Sequence, residues 1–92
     1  MVPIHPGRIL RRELRARELS ANALARALRV SSGRIVDILN GKRAVSAETA
    51  LRLGRYFGND ARFWVNLQAQ YELAVARRDV GARVMREVET SA

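Results

Sequence analysis

Apolar residues recur along this chain at three- and four-residue spacing, and nowhere do they alternate with the two-residue period of a strand. The pattern predicts five helices. Pro6 suits the first turn of a helix, where its missing N–H breaks no bond, and Ile9, Leu10 and Leu14 follow as a narrow apolar stripe. Ser20 reads as the N-cap of a short second helix with Leu24, Ala25 and Leu28 inward. Ser31 reads as the cap of a third with Ile35, Ile38 and Leu39 inward, and Asn40-Gly41 ends it, because glycine enters the left-handed region at little cost. Ser46 caps a fourth helix with Ala50, Leu51 and Phe57 inward; Glu48 complements its N-terminal dipole and Gly58 stops it. Asp60 caps the fifth and longest, running to about Arg78, with Phe63, Trp64, Leu67, Tyr71 and Ala74 on one face. After Asp79 the pattern fades and Gly81 interrupts it, which predicts a frayed tail or a weak sixth helix over 79–92. The expected architecture is all-α, with one domain over 1–78 and a short tail.

The second and third helices, about 21–40, have the layout of a helix-turn-helix. Ala25 is small where another helix must cross closely, and a tight turn follows at Arg29-Val30. With Ile35 and Ile38 inward, Ser32, Gly33, Arg34 and Asp37 point outward. A helix of this size fits the major groove of double-stranded DNA, and its N-terminal residues reach base edges. Arg34 is suited to guanine O6 and N7, Asp37 to cytosine N4, and Ser32 is less selective. The turn Asn40-Gly41-Lys42-Arg43 lies at the far end, where phosphates are met, and Ser31 is a second phosphate candidate at the near end. Gly33 admits two readings, close backbone approach to DNA or simple tolerance of a residue that weakens a helix by about 0.8–1 kcal/mol.

Charge changes the picture. Periodicity alone fits many all-α proteins, but the net charge of +8 is localised. Residues 1–58 hold twelve Arg and Lys against four Asp and Glu, whereas 59–92 hold five of each. The basic part points to a polyanion and the neutral part does not. All but one of the cations are arginine, which suits bidentate contacts but is equally the signature of a GC-rich genome. Arg8, Arg11, Arg12 and Arg15 cluster on the first helix, either as a solvated face or as a contact to DNA flanks or an acidic partner.

Other chemistry is thin. There is no cysteine, so thiolate sites are excluded; with only one histidine, His5, a His-containing triad or a multi-histidine metal cluster is nearly excluded, and no nucleophile–base pair is evident. No enzyme, metal or cofactor is expected. An RNA-binding alternative lacks stacking aromatics, since the basic half holds only Tyr56 and Phe57. Apolar runs reach only about four residues, as at Leu73–Ala76, so no membrane span is expected, and a cytoplasmic location follows as the default.

Three segments in order carry a family resemblance. Residues 30–43, VSSGRIVDILNGKR, resemble the recognition segment of lambda-repressor-like, XRE-type regulators. Residues 46–58, SAETALRLGRYFG, and 63–68, FWVNLQ, resemble the HigA (VapI) antitoxins, as does the opening HPGRIL at 5–10. The match spans about residues 5–75. The resemblance implies a five-helix lambda-repressor-like fold, a homodimer on a palindromic operator, and repression of its own operon. It further implies a HigB-type toxin similar to RelE ribonucleases; a stand-alone XRE-type regulator is the alternative. Two positions depart from the pattern. Ala21-Asn22 replace a phosphate-gripping glutamine, and Arg29 stands where the turn often holds glycine, so a left-handed Arg29 would be strained. Trp64, with Phe63, Leu67 and Tyr71, reads as a core or dimer anchor, and Asn66 and Gln68 as polar contacts without a defined role.

Overall fold

The structure, a computed structural model, describes residues 2–91. Its elements are α1 (Pro6–Ala16), α2 (Ala21–Leu28), α3 (Ser32–Leu39), α4 (Ala47–Phe57) and α5 (Ala61–Glu87), and no strand occurs among the described residues. Local chemistry starts each helix. His5 Nδ1 accepts from the Gly7 N–H at 2.9 Å, and Pro6 occupies the first turn. Ser20, Ser31 and Ser46 accept from the N–H three residues on, and Asp60 accepts from that of Arg62. Each acceptor satisfies an otherwise orphaned helix N–H. Gly41 and Gly58 take φ of 73° and 76° where α3 and α4 end. Arg29 is left-handed too, at φ 60°, so the α2–α3 turn carries the strain expected of a non-glycine residue there, about 1–2 kcal/mol.

The core is one cluster: Leu10 and Leu14 of α1, Leu24, Ala25 and Leu28 of α2, Ile35 and Ile38 of α3, Val45, Ala50 and Leu53 around α4, and Trp64 of α5. Two glycines set the helix crossings. A Cβ on Gly7 would overlap the Ile38 carbonyl, so α1 lies directly against α3, and one on Gly54 would sit 2.8 Å from the Asn59 carbonyl oxygen. This second approach phases α4. Its buried line is Thr49, Ala50, Leu53 and Gly54, and Leu51, expected inward, is 65% exposed.

Trp64 is fully buried; its Nε1 donates to Asn59 Oδ1 at 3.1 Å and its ring lies against Phe57 and Phe63. Gln68, which had no role in the sequence, is buried and accepts the Val45 N–H at 2.8 Å, fastening α5 to the loop before α4. Leu67 and Tyr71 are half-buried on the same side, while Phe63 is 44% exposed.

α5 does not stop near Arg78 but continues through Gly81 to Glu87. Of the two readings for this stretch, the helical one holds through Glu87, as a continuation of α5 rather than a separate sixth helix. The pattern fades there because the apolar stripe changes sides. The core-facing line ends at Ala74, and Leu73, Val80 and Val84 form a second stripe on the opposite face. Alanine and arginine around Gly81 favour helix, and Arg83 lies 3.9 Å from Glu87 one turn on. The projecting helix makes the molecule 49 Å long and 22 Å across. No helix among the described residues is long and apolar enough to cross a membrane.

Candidate nucleic-acid interface

α3 is held from behind and bare in front. Ile35 and Ile38 are fully buried, and α2 and α1 pack across them. Ser31, Ser32, Gly33, Val36, Asp37 and Asn40 are exposed on the other side. Gly33, Val36, Asp37 and Asn40 fall at i, i+3, i+4 and i+7, one face of a helix, with Ser32 one turn before Val36 and Ser31 at the cap. The face is lined by short side chains, so the helix backbone itself is accessible. Around Gly33 an added Cβ would meet nothing within 4 Å. Packing inside the chain therefore gives no reason for glycine there, and a partner's close approach remains as one.

Val36 is a member of this face that the sequence reading left out. It is 40% exposed although apolar. Its spacing from Ser32 was the available signal, and an outward methyl-bearing side chain is what contacts a thymine methyl.

Arg34 departs from its expected free projection. Nη1 donates to Glu48 Oε1 at 2.9 Å, and the side chain is only 29% exposed. The Arg34 guanidinium, reinforced by Arg52, holds the Glu48 carboxyl below its usual range.

The turn after α3 is braced from three sides. Gly41 and Lys42 donate backbone N–H groups back to Ile38 and Asp37 at 3.0 and 2.8 Å. Arg11 reaches over from α1, donating to the Leu39 carbonyl and to Asn40 Oδ1, both at 3.3 Å. Of the α1 arginines, Arg11 is thus a cap for α3. The His5 ring lies beside Gly41 and edge-on to Tyr71, with centroids 4.9 Å apart. Burial pushes its imidazole down from the ordinary value, against hydrogen bonding to the Arg43 backbone, which pulls it up. Lys42 and Arg43 stand exposed on this braced turn. The structure thus brings Ser32, Gly33 and Asp37 onto one face with Asn40, Lys42 and Arg43 at its end. It places Ser31 at the cap and turns the Arg34 guanidinium toward α4. Among the described residues no cluster of three or more His, Asp or Glu side chains could hold a metal ion.

A short helix, a strained tight turn and a second helix bared to solvent form a helix-turn-helix unit inside a five-helix domain. The helix-turn-helix family HTH_3 matches residues 10–64. Virulence-associated protein I of Dichelobacter nodosus is 54% identical over 80 residues, covering 86% of this chain and 74% of that one. The solved structure of the Pseudomonas aeruginosa antitoxin HigA with higBA promoter is 48% identical at a TM-score of 0.95, over 99% of this chain and 100% of that one. An addiction module antidote protein of the HigA family from Coxiella burnetii is 44% identical at a TM-score of 0.95, over 98% and 99% of the two chains. The chain belongs to the helix-turn-helix family and, within it, to the HigA antitoxins. Fold and family are those of regulators rather than enzymes.

Proposed function

We propose that this protein is a dimeric operator-binding repressor and the antitoxin of a HigB-type, RelE-like ribonuclease toxin. The observation that carries the reading is the bared face of α3, set on a chain that aligns over almost its whole length with an antitoxin solved with promoter DNA. Ser32, Gly33, Val36 and Asp37 enter the major groove of double-stranded DNA, and Arg34 reaches a base from the edge of that face. Ser31, Asn40, Lys42 and Arg43 meet phosphates, which set position but not sequence.

One such helix offers few contacts, so two copies are needed. The outward stripe of α5 supplies their interface. Leu73 and Val84 are 51% and 46% exposed and belong to no core in the single chain. Two stripes facing each other bury what each leaves bare. Trp64, Leu67 and Tyr71 brace α5 from the core side of the same helix, with the more exposed Phe63 edge-on to Trp64. The paired recognition helices then lie about 34 Å apart and read a palindrome.

Toxin neutralisation is tested by co-expression. The reading frame adjacent to this one, expressed from an unrelated promoter, is expected to arrest growth, and this chain to restore it. A Lys42→Ala/Arg43→Ala variant is expected to rescue equally while the native promoter loses repression. Persistent arrest in the presence of the folded protein would overturn the antitoxin reading, and a harmless neighbour would leave a stand-alone repressor.

A further inference from the structure

Arg34 is the one cation on α3, and it is not free. Besides the 2.9 Å bond to Glu48 Oε1, its Nη1 lies 3.5 Å from Thr49 Oγ1. Thr49 is committed elsewhere, since Ser46 Oγ bonds its hydroxyl at 3.1 Å, so Glu48 is the principal partner. The other Glu48 oxygen faces Arg52 Nη2 at 3.7 Å, and Arg52 Nη1 donates to the Leu28 carbonyl at 2.9 Å. One carboxylate thus joins the start of α3, the start of α4 and the end of α2.

This matters because arginine serves DNA in two ways. A mobile guanidinium meets whichever phosphate is near and adds affinity for any sequence. A guanidinium with one nitrogen already fixed presents its remaining N–H edge in one direction, the condition for a bidentate contact to guanine O6 and N7. Building on the operator-binding reading, we infer that Glu48 is a positioning residue that confers base selectivity on Arg34. It fixes the guanidinium and cancels the charge that would otherwise seek phosphate. Glu48 is itself 61% exposed, so its role is not one of packing.

The test is a double-mutant cycle with Glu48→Gln, Arg34→Gln and the pair. Affinity is measured across a salt series for two probes: a duplex spanning the region upstream of this chain's reading frame, and a shuffled duplex of equal length. Glu48→Gln is expected to lower the ratio of upstream to shuffled affinity by about fivefold or more. It is also expected to steepen the salt dependence on the shuffled duplex by about one unit of slope. With Gln at position 34 the same change is expected to leave the ratio where it was. A ratio unaffected by Glu48→Gln, or lowered equally whether or not Arg34 is present, would overturn the assignment and leave operator binding intact. A wild-type protein that does not distinguish the two duplexes would overturn the operator reading itself, and this inference with it.

Discussion

Trp64→Ala is expected to destabilise the protein by about 3–5 kcal/mol, the range for emptying a buried aromatic site. The indole is fully buried, pinned by Asn59 at 3.1 Å, and it joins α5 to the α4 end of the core through Phe57. The surroundings cannot close easily on the cavity, because the α4–α5 turn is already fixed by the approach of Gly54 to Asn59. A loss of that size is a large part of the roughly 5–15 kcal/mol available to a small domain. Urea titration followed by circular dichroism should show the midpoint falling steeply, with operator binding lost alongside it. An unchanged midpoint would mean that α5 does not dock through this ring.

Replacing Leu73 and Val84 together by glutamate is expected to spare the fold and break the dimer. Neither side chain belongs to the core, and both lie on the outer face of α5. Two carboxylates brought against their symmetry copies repel and remain unpaired, which opposes burial of the apolar stripe. The single chain then binds with one recognition helix, and the loss of linked binding should weaken operator affinity about a hundredfold or more. Analytical ultracentrifugation should give a dimer for the wild type and a monomer for the variant, with matching helical spectra. A variant that stays dimeric would place the interface elsewhere.

What could be read from the sequence was what is decided locally. Ser20, Ser31, Ser46 and Asp60 each cap a helix because the hydrogen bond spans only two or three residues. The turn glycines Gly41 and Gly58, and the strain at Arg29, follow from the same short-range rules. What was missed depends on partners far along the chain. Leu51 and Leu53 are chemically alike and two residues apart; the close approach of Gly54 to Asn59 decides that Leu53 is the one buried. Gln68 is buried because the Val45 N–H, on a distant loop, needs an acceptor. Arg34 turns toward Glu48, fourteen positions on, which helical periodicity alone does not register. The run beyond Arg78 reads in the sequence as a frayed tail or a weak separate helix, not as a continuation of α5, because its apolar stripe moves to the face opposite the core. Val36 was legible in principle, since its spacing puts it beside Ser32, but apolar residues are read first as core.

Two copies of this chain are expected to present paired α3 helices to one stretch of DNA. Hydroxyl-radical footprinting on the region upstream of its reading frame, with the mass of the complex measured in parallel, tests this most directly. The expected result is two protected tracts centred about 10 base pairs apart, one helical turn, with two chains bound. A single tract occupied by one chain, or protection no stronger than on unrelated duplex at the same salt, would contradict it.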